Sequence, residues 1–506
     1  MEQFPFIKSE CLLQPITGDN PIDYFRHLFT ENMLDEVIAQ TNNYAREVLC
    51  RRETKQHSRI NAWKETTKEE ILIFVGLILH MGIIRINRIE DYWKTDALFG
   101  LSVFSYNMSR NRFNVLLRAL NFSKIPEQDA EPSKDQLYKI RSMVNLFNTR
   151  LAEIYYPGRE ISLDESMILL RGRLMFKQYI PDRCQKYAIK LYMITTPDGM
   201  VIKFMVHSGM VDDSGGKGHA QKVVLNLLEG MLDVGHSVYM DNYYNSYELA
   251  KCLADRKTHC TGTIEKNSNT FPKEVIEKKL KKGETVAMYA NGVMIGKWKD
   301  KRDIIYISNE YKNDIVEKTY KRGERKSKPL PVIQYNKYMT GIDKQDQMLA
   351  YYPCERKTIR WPTKIFVHIL QLMISNSHFL YNKYSTENMS LYDFRLSVIR
   401  CLLKPQPVLC VPKHNSPELE HVLKPRDEKR NGKILRKQCK RCYSQGKRKD
   451  TIYICKVCDD SPGYCLDCAK DYKICVQHAL KDFQFLALSR PTDSSKKLFN
   501  ALDDNS

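Results

Sequence analysis

Four aspartates stand where carboxylates could gather a divalent metal. Asp164 lies within the alternating segment ISLDES, Asp241 closes the apolar run SVYMD, and Asp343 and Asp346 sit in GIDKQDQM. Alternation and a short apolar run are strand signals, while Gly341 breaks the preceding segment so that a helix can begin there. Two carboxylates on strands and one on a helix can converge at one end of a sheet. Hard cations such as Mg2+ take oxygen ligands and keep several waters. Two such ions can serve both the attacking and the leaving oxygen of a phosphodiester displacement. The chain's 60 acidic residues also supply many ordinary N-cap and turn aspartates, so spacing alone does not single these out.

A second set of ligands lies near the C-terminus. Cys439-x2-Cys442, Cys455-x2-Cys458, Cys465-x2-Cys468 and Cys475-x2-His478 form four close pairs. Eight such ligands suffice for two tetrahedral Zn2+ sites, because a short turn lets both members of a pair reach one ion. Seven of the 15 cysteines fall from Cys439 to Cys475. The opening MEQFPFIKSE lacks the basic and apolar regions of a secretion signal. A reduced compartment and metal binding are therefore expected in place of disulfides. Spacing leaves two pairings open: a cross-brace, with pairs one and three on one zinc and pairs two and four on the other, or successive pairing. The cross-brace is taken first.

Arg356, Lys357, Arg360 and Trp361 make a basic cluster that ends in an aromatic before Pro362. Cations can hold phosphates while an indole stacks on an unpaired base; a Trp at a helix start can equally pack into a core. The chain as a whole carries 80 Lys and Arg against 60 Asp and Glu, a net +20, and such an excess suits a phosphate-binding protein. Lys440, Arg441, Lys447, Arg448 and Lys449 make the cysteine-rich module basic as well.

The elements that must position these residues follow from periodicity. Residues 20–158 read as helical, with Thr67 and Ser109 as N-caps. The longest apolar stretch, Ile71–Ile84, is shorter than the ~20 residues that span a bilayer, so it is a buried helix and no membrane partner is expected. From Glu160 short strands take over: Tyr187–Thr195 and Met200–His207 flank the turn Pro197-Asp198-Gly199 as a hairpin. A helix over Lys222–Leu232 then leads to the strand ending at Asp241, which predicts a mixed α/β sheet. A Lys-rich stretch carries strand-like pieces at Thr285–Tyr289, Val293–Lys297 and Ile304–Ser308, and a buried helical face returns in Trp361–Tyr381.

The segments LDESMILLRGR, VYMDNYYNS, YNKYMTGIDKQDQM and RKTIRWP, with NPIDYF and MSRNRF upstream, resemble in order the motif series of piggyBac family transposases over residues 20–480. The resemblance implies an α/β, ribonuclease H-like catalytic domain with a β-rich insertion, flanked by a split helical domain and closed by a cross-brace zinc finger. Asp164, Asp241 and Asp343 match the family's metal-holding triad for Mg2+ or Mn2+, and Asp346 matches an accessory carboxylate. Arg356, Lys357, Arg360 and Trp361 become DNA-contact candidates, and the finger becomes a reader of the element's terminal DNA. The implied activity is cut-and-paste transposition at TTAA targets by a nuclear homodimer. In that reaction a freed 3′-OH attacks first the opposite strand and then target DNA.

The expected organisation is a short tail at 1–18, a helical domain at 19–159 and 353–422, and a catalytic domain at 160–266 and 329–352. The β-rich insertion takes 267–328, a basic linker 423–437, the finger 438–480 and a polar tail 481–506. One departure stands out. Glu265 follows Gly262-Thr263-Ile264 where family members often carry Arg, and an acid there opposes DNA joining. A domesticated, non-cleaving DNA-binding protein is therefore the alternative, and a RING-like ubiquitin ligase is a third reading of the finger.

Overall fold

The computed structural model describes residues 1–50, 58–126, 131, 133–170, 174, 176–179, 187–209, 218–265, 272–319, 325–356, 359–405, 423–455 and 460–469. The chain divides into two compact units, Met1–Gln406 and Pro407–Ser506.

The first unit begins with helices α1 (Pro21–Leu28), α2 (Glu31–Tyr44), α3 (Lys68–Ile83), α4 (Arg110–Ala119) and α5 (Arg141–Ile154). Thr67 caps α3 by accepting the Glu70 N–H at 3.3 Å. The Glu70 carboxylate serves other partners, accepting from Arg112 at 2.6 and 2.7 Å and from the Thr66 hydroxyl at 2.8 Å. The start of α3 is thereby tied to α4. Helix α3 is apolar almost all round, and ten of its residues are buried; a helix of that kind needs neighbours on every side. Those neighbours are α2, Phe113 of α4 and, from the far end of the unit, α11 (Leu391–Leu402); α10 (Trp361–Tyr384) joins the same core, which is shared with the sheet.

Among the described residues the central sheet has nine strands, the shortest being Gln178–Tyr179 at its edge. Its first half contains β1 (Glu160–Leu169), β2 (Tyr187–Thr195), β3 (Val201–Val206), β4 (Ser237–Met240) and β5 (His259–Thr263). β2 is antiparallel to both β1 and β3, whereas β1, β4 and β5 run parallel. Helices α6 (His219–Leu227) and α7 (Tyr247–Asp255) lie in the connections that lead to β4 and β5. Three further strands, β6 (Thr285–Ala290), β7 (Val293–Lys299) and β8 (Asp303–Ser308), continue the sheet beyond β5, with β8 as its neighbour. The Lys-rich stretch is thus an extension of the central sheet, and only Ile315–Thr319 and Arg325–Pro329 form a separate two-stranded ribbon.

Residues 4–13 pack onto this unit. The Phe4 N–H donates to His259 Nε2 at 3.1 Å, the Ile7 N–H donates to the Val234 carbonyl at 3.0 Å, and Cys11–Leu12 pairs with Tyr155–Tyr156. His259 opens β5 and Val234 precedes β4, so the segment runs along the end of the sheet opposite Asp241.

Two helices follow the ribbon, α8 (Leu330–Tyr338) and α9 (Gly341–Tyr351). Close backbone approach sets α9 against the hairpin turn. A Cβ at Gly341 would stand 2.1 Å from Thr195 Oγ1 and 2.4 Å from the Thr196 carbonyl. Gly199, at φ +101°, supplies the left-handed turn residue that the Pro-Asp-Gly signal predicts.

In the second unit, short strand pairs join Lys437–Gln438 to Asp450–Thr451 and Leu423–Pro425 to Tyr453–Cys455. Part of the segment expected to be linker is therefore built into the cysteine-rich module.

Candidate active site and zinc centre

Asp164 lies on β1 and Asp241 follows the last residue of β4. The parallel register pairs Leu163 with Met240, which places the two aspartates side by side one residue further on. Asp343 sits in the first turn of α9. One turn later Asp346 accepts the Ser166 hydroxyl at 2.6 Å, and this bond fixes α9 to β1.

Backbone N–H groups orient the two strand carboxylates. The Glu165 N–H donates to Asp164 Oδ1 at 2.8 Å, and the Tyr243 N–H to Asp241 Oδ1 at 3.0 Å. The loop after Asp241 is clamped by Asn245, whose amide donates to the carbonyls of Met240, Asp241 and Thr263 at 2.8–3.1 Å. Gly262 leaves room for that clamp, since a Cβ there would fall 2.2 Å from Asn245 Nδ2.

The electrostatics show three negative groups acting on one region. Burial pushes the Asp164 carboxyl up to about 7, and the charges of Asp241, Glu165 and Asp343 add to the rise. Burial also raises Asp241, where Glu165 and Glu265 add and Lys190 opposes. On α8, burial pushes the Tyr335 hydroxyl up to about 12, and the charges of Asp241, Asp164 and Asp343 all reach it. Carboxylates whose charges raise one another are stabilised by a cation among them. Among the described residues, these three do not bring ligand atoms within 4.8 Å of one another, so an ion bound here would take one or two of them directly and keep part of its water, as Mg2+ does.

Glu165, Lys190, Asn245 and Tyr335 were not among the sequence candidates. The Glu165 carboxylate pairs with Lys190 Nζ at 2.5 Å and accepts the Tyr244 hydroxyl at 3.2 Å. Adjacency to Asp164 and Asp241 was the available signal for Glu165 and Asn245. Lys190 and Tyr335 arrive through strand pairing and helix docking, which no local pattern announces.

The basic cluster has partners within the protein. Arg356 donates to the carbonyls of Ile86 at 2.6 Å and Met81 at 3.0 Å and to the Tyr92 hydroxyl. It thereby anchors the C-terminal end of α3. Arg360, exposed, donates to the Leu120 carbonyl at 2.5 Å. Trp361 is half-buried and meets Phe176 edge-on at 5.3 Å. Lys357 lies outside the described residues.

In the second unit Cys439, Cys442, Cys465 and Cys468 converge, bringing the first and third pairs together. Cys442 Sγ stands 3.8 Å from Cys465 Sγ and 3.6 Å from Cys468 Sγ. Four sulfurs about 2.3 Å from a tetrahedral zinc are spaced about 3.8 Å apart, so this set fits the ion. Burial works to raise the Cys439 thiol, but hydrogen bonds from neighbouring backbone and thiols outweigh it and lower the group to about 7. Cys455 is buried on a strand of this unit; Cys458, Cys475 and His478 lie outside the described residues.

A family model described as Transposase IS4 matches residues 20–378. The human PiggyBac transposable element-derived protein 3 is 22% identical over 484 residues, covering 89% of this chain and 78% of its own length. The human PiggyBac transposable element-derived protein 2 is 22% identical over 382 residues, 71% of this chain and 61% of its own length. A cryo-EM structure of a piggyBac transposase synaptic complex with hairpin DNA shares the fold at a TM-score of 0.66. It is 23% identical, with 90% of this chain and 98% of that one covered. The chain belongs to the piggyBac transposase family. Among the described residues no helix is long and apolar enough to cross a membrane.

Proposed function

We propose that this protein is a metal-dependent DNA transposase that cuts and rejoins strands through Asp164, Asp241 and Asp343, with Asp346 holding the third carboxylate's helix in place. The observation that carries this reading is the parallel register that sets Asp164 beside Asp241, with the helix of Asp343 bonded to the same strand through Ser166 and Asp346. We read the sheet, with β2 antiparallel beside the parallel β1, β4 and β5, as ribonuclease H-like. Divalent cations bound there, Mg2+ or Mn2+, would supply Lewis-acid stabilisation of the attacking and leaving oxygens. The protein's own contribution is positioning. The N–H groups of Glu165 and Tyr243 aim two carboxylates, Asn245 fixes the loop after β4, and Ser166 holds α9 to the strand.

Trp361 and the exposed Arg360 are proposed to contact DNA beside this site, and a cross-brace finger with two zinc ions to read the element's ends. Cut-and-paste movement at TTAA targets by a nuclear homodimer completes the proposal. Mg2+-dependent excision of a donor flanked by the source element's own ends tests it. Excision by the wild type and none by Asp241→Ala supports it.

One observation favours the alternative of a DNA-binding protein without cleavage. Glu265 accepts from Asn242 Nδ2 at 3.2 Å, and its charge adds to that around Asp241. An anion there opposes the approach of a target phosphate. Specific end binding with no excision by either protein selects this second reading.

A further inference from the structure

Tyr243 is an exposed aromatic beside Asp241 that the structure nevertheless holds firmly. Its N–H is bonded to the Asp241 carboxylate at 3.0 Å. The ammonium of Lys190 lies 4.3 Å from the ring centroid, and the ring of Tyr244 meets it edge-on at 5.0 Å and 89°. Lys190 is itself locked, paired with Glu165 at 2.5 Å, and Glu165 accepts from Tyr244. Backbone, cation and aromatic neighbour thus fix the ring, yet 45% of Tyr243 remains open to solvent. A tyrosine kept outside a core normally retains its rotamer freedom. One that is already immobilised next to a carboxylate site loses little entropy when a flat group stacks on it.

We propose that Tyr243 is a stacking platform for the unpaired base next to the phosphate that reaches Asp241, and that Lys190, held by Glu165, is the positioning residue that sets the ring's angle. The proposal rests on the transposase reading above. Bases stack on aromatic rings whatever their identity, so Tyr243 would hold the nucleotide without reading its sequence. It would hold the backbone in register with the carboxylates.

The test uses the full chain without added Mg2+, so that DNA is bound and not cut. The probe is a duplex of the source element's terminal sequence with 2-aminopurine placed in turn on either side of the cleavage point. Wild type is expected to quench the probe at one of these positions. Tyr243→Leu is expected to lose the quenching and to bind roughly 5- to 150-fold more weakly, the range of one stacked base, with an unchanged salt slope because no phosphate contact is removed. Tyr243→Phe, which keeps the ring, restores both readouts, and Lys190→Met, which frees the ring and leaves Glu165 unpaired, reduces quenching at temperatures where the variant is still folded. A Tyr243→Leu protein that melts like the wild type but still quenches and binds as it does overturns the proposal. So does failure of Tyr243→Phe alongside Tyr243→Leu, which would assign the role to the hydroxyl. Specific end binding by the wild type without quenching at any position defeats this proposal alone. Failure of the wild type to prefer end DNA over scrambled duplex defeats the transposase reading beneath it.

Discussion

The hydroxyl of Ser166 donates to the carboxylate of Asp346 across 2.6 Å, joining the strand that carries Asp164 to the helix that carries Asp343. The bond sits two residues past one metal-ligand candidate and one turn past another, so it governs their separation more than it governs the fold. Ser166→Ala is expected to slow single-turnover strand cleavage about tenfold, near the ~1.5 kcal/mol of a hydrogen bond to a charged group. Its melting temperature should stay close to the wild type.

Gly341 makes the opposite trade. Its Cα faces Thr195 and Thr196 at a distance that leaves no space for a methyl group. Gly341→Ala is expected to cost about 1–3 kcal/mol, the usual range for overpacking, measured by denaturant unfolding. Adding Thr195→Ala removes the hydroxyl but not the Thr196 carbonyl, so the double variant should recover only part of the loss.

Asp164 gives a pH dependence with a definite sign. Its folded value of about 7 lies above the ordinary 3.8, so between those limits the folded chain holds a proton that the unfolded chain has released. Stability without Mg2+ should fall as pH rises through this window and level off above it. Thermal melts of Asp164→Asn should lack that component of the fall. Added Mg2+ at pH above 7 should raise the wild-type melting temperature more than that of the variant.

Arg356 belongs to the framework in this structure, because its guanidinium serves two carbonyls and a hydroxyl at the end of α3. Arg356→Met should destabilise the first unit by about 3 kcal/mol, since the carbonyls lose a charged donor. Loss of DNA affinity with unchanged unfolding would contradict that role.

Zinc removal should act on one unit. Cys442→Ser is expected to lose the ion held by the first and third cysteine pairs, read as zinc per chain by elemental analysis. A strong chelator should make the strand pairs at 423–455 protease-sensitive while the first unit keeps its melting transition.

Much of this was legible along the chain because it is local. The N-caps Thr67 and Ser109, the Pro197-Asp198-Gly199 turn and the strands at 285–290, 293–299 and 303–308 each follow from a few consecutive residues. Glu70 shows the limit. It stands three residues after the N-cap Thr67, where a carboxylate can bond back to the cap's N–H, but Arg112 offers a charged partner from another helix and takes it. Asp164, Asp241 and Asp343 stood out through the motif series, whereas Lys190 and Tyr335 reach the same region only once strands pair and helices dock. Arg356 reads as a phosphate ligand in sequence, since nothing near it predicts that the end of α3, some 270 residues earlier, would take its hydrogen bonds.

The same separation has a consequence during synthesis. Helix α3 emerges from the ribosome early, but Arg395 of α11, which donates to the Leu79 carbonyl, lies 316 residues further on. At roughly 5–20 residues per second, this apolar helix waits about 15–60 s for the helix that completes its cover. Nascent chains stalled before residue 391 should therefore be captured by Hsp70-type chaperones at 71–83, and chains extended beyond 402 should be released.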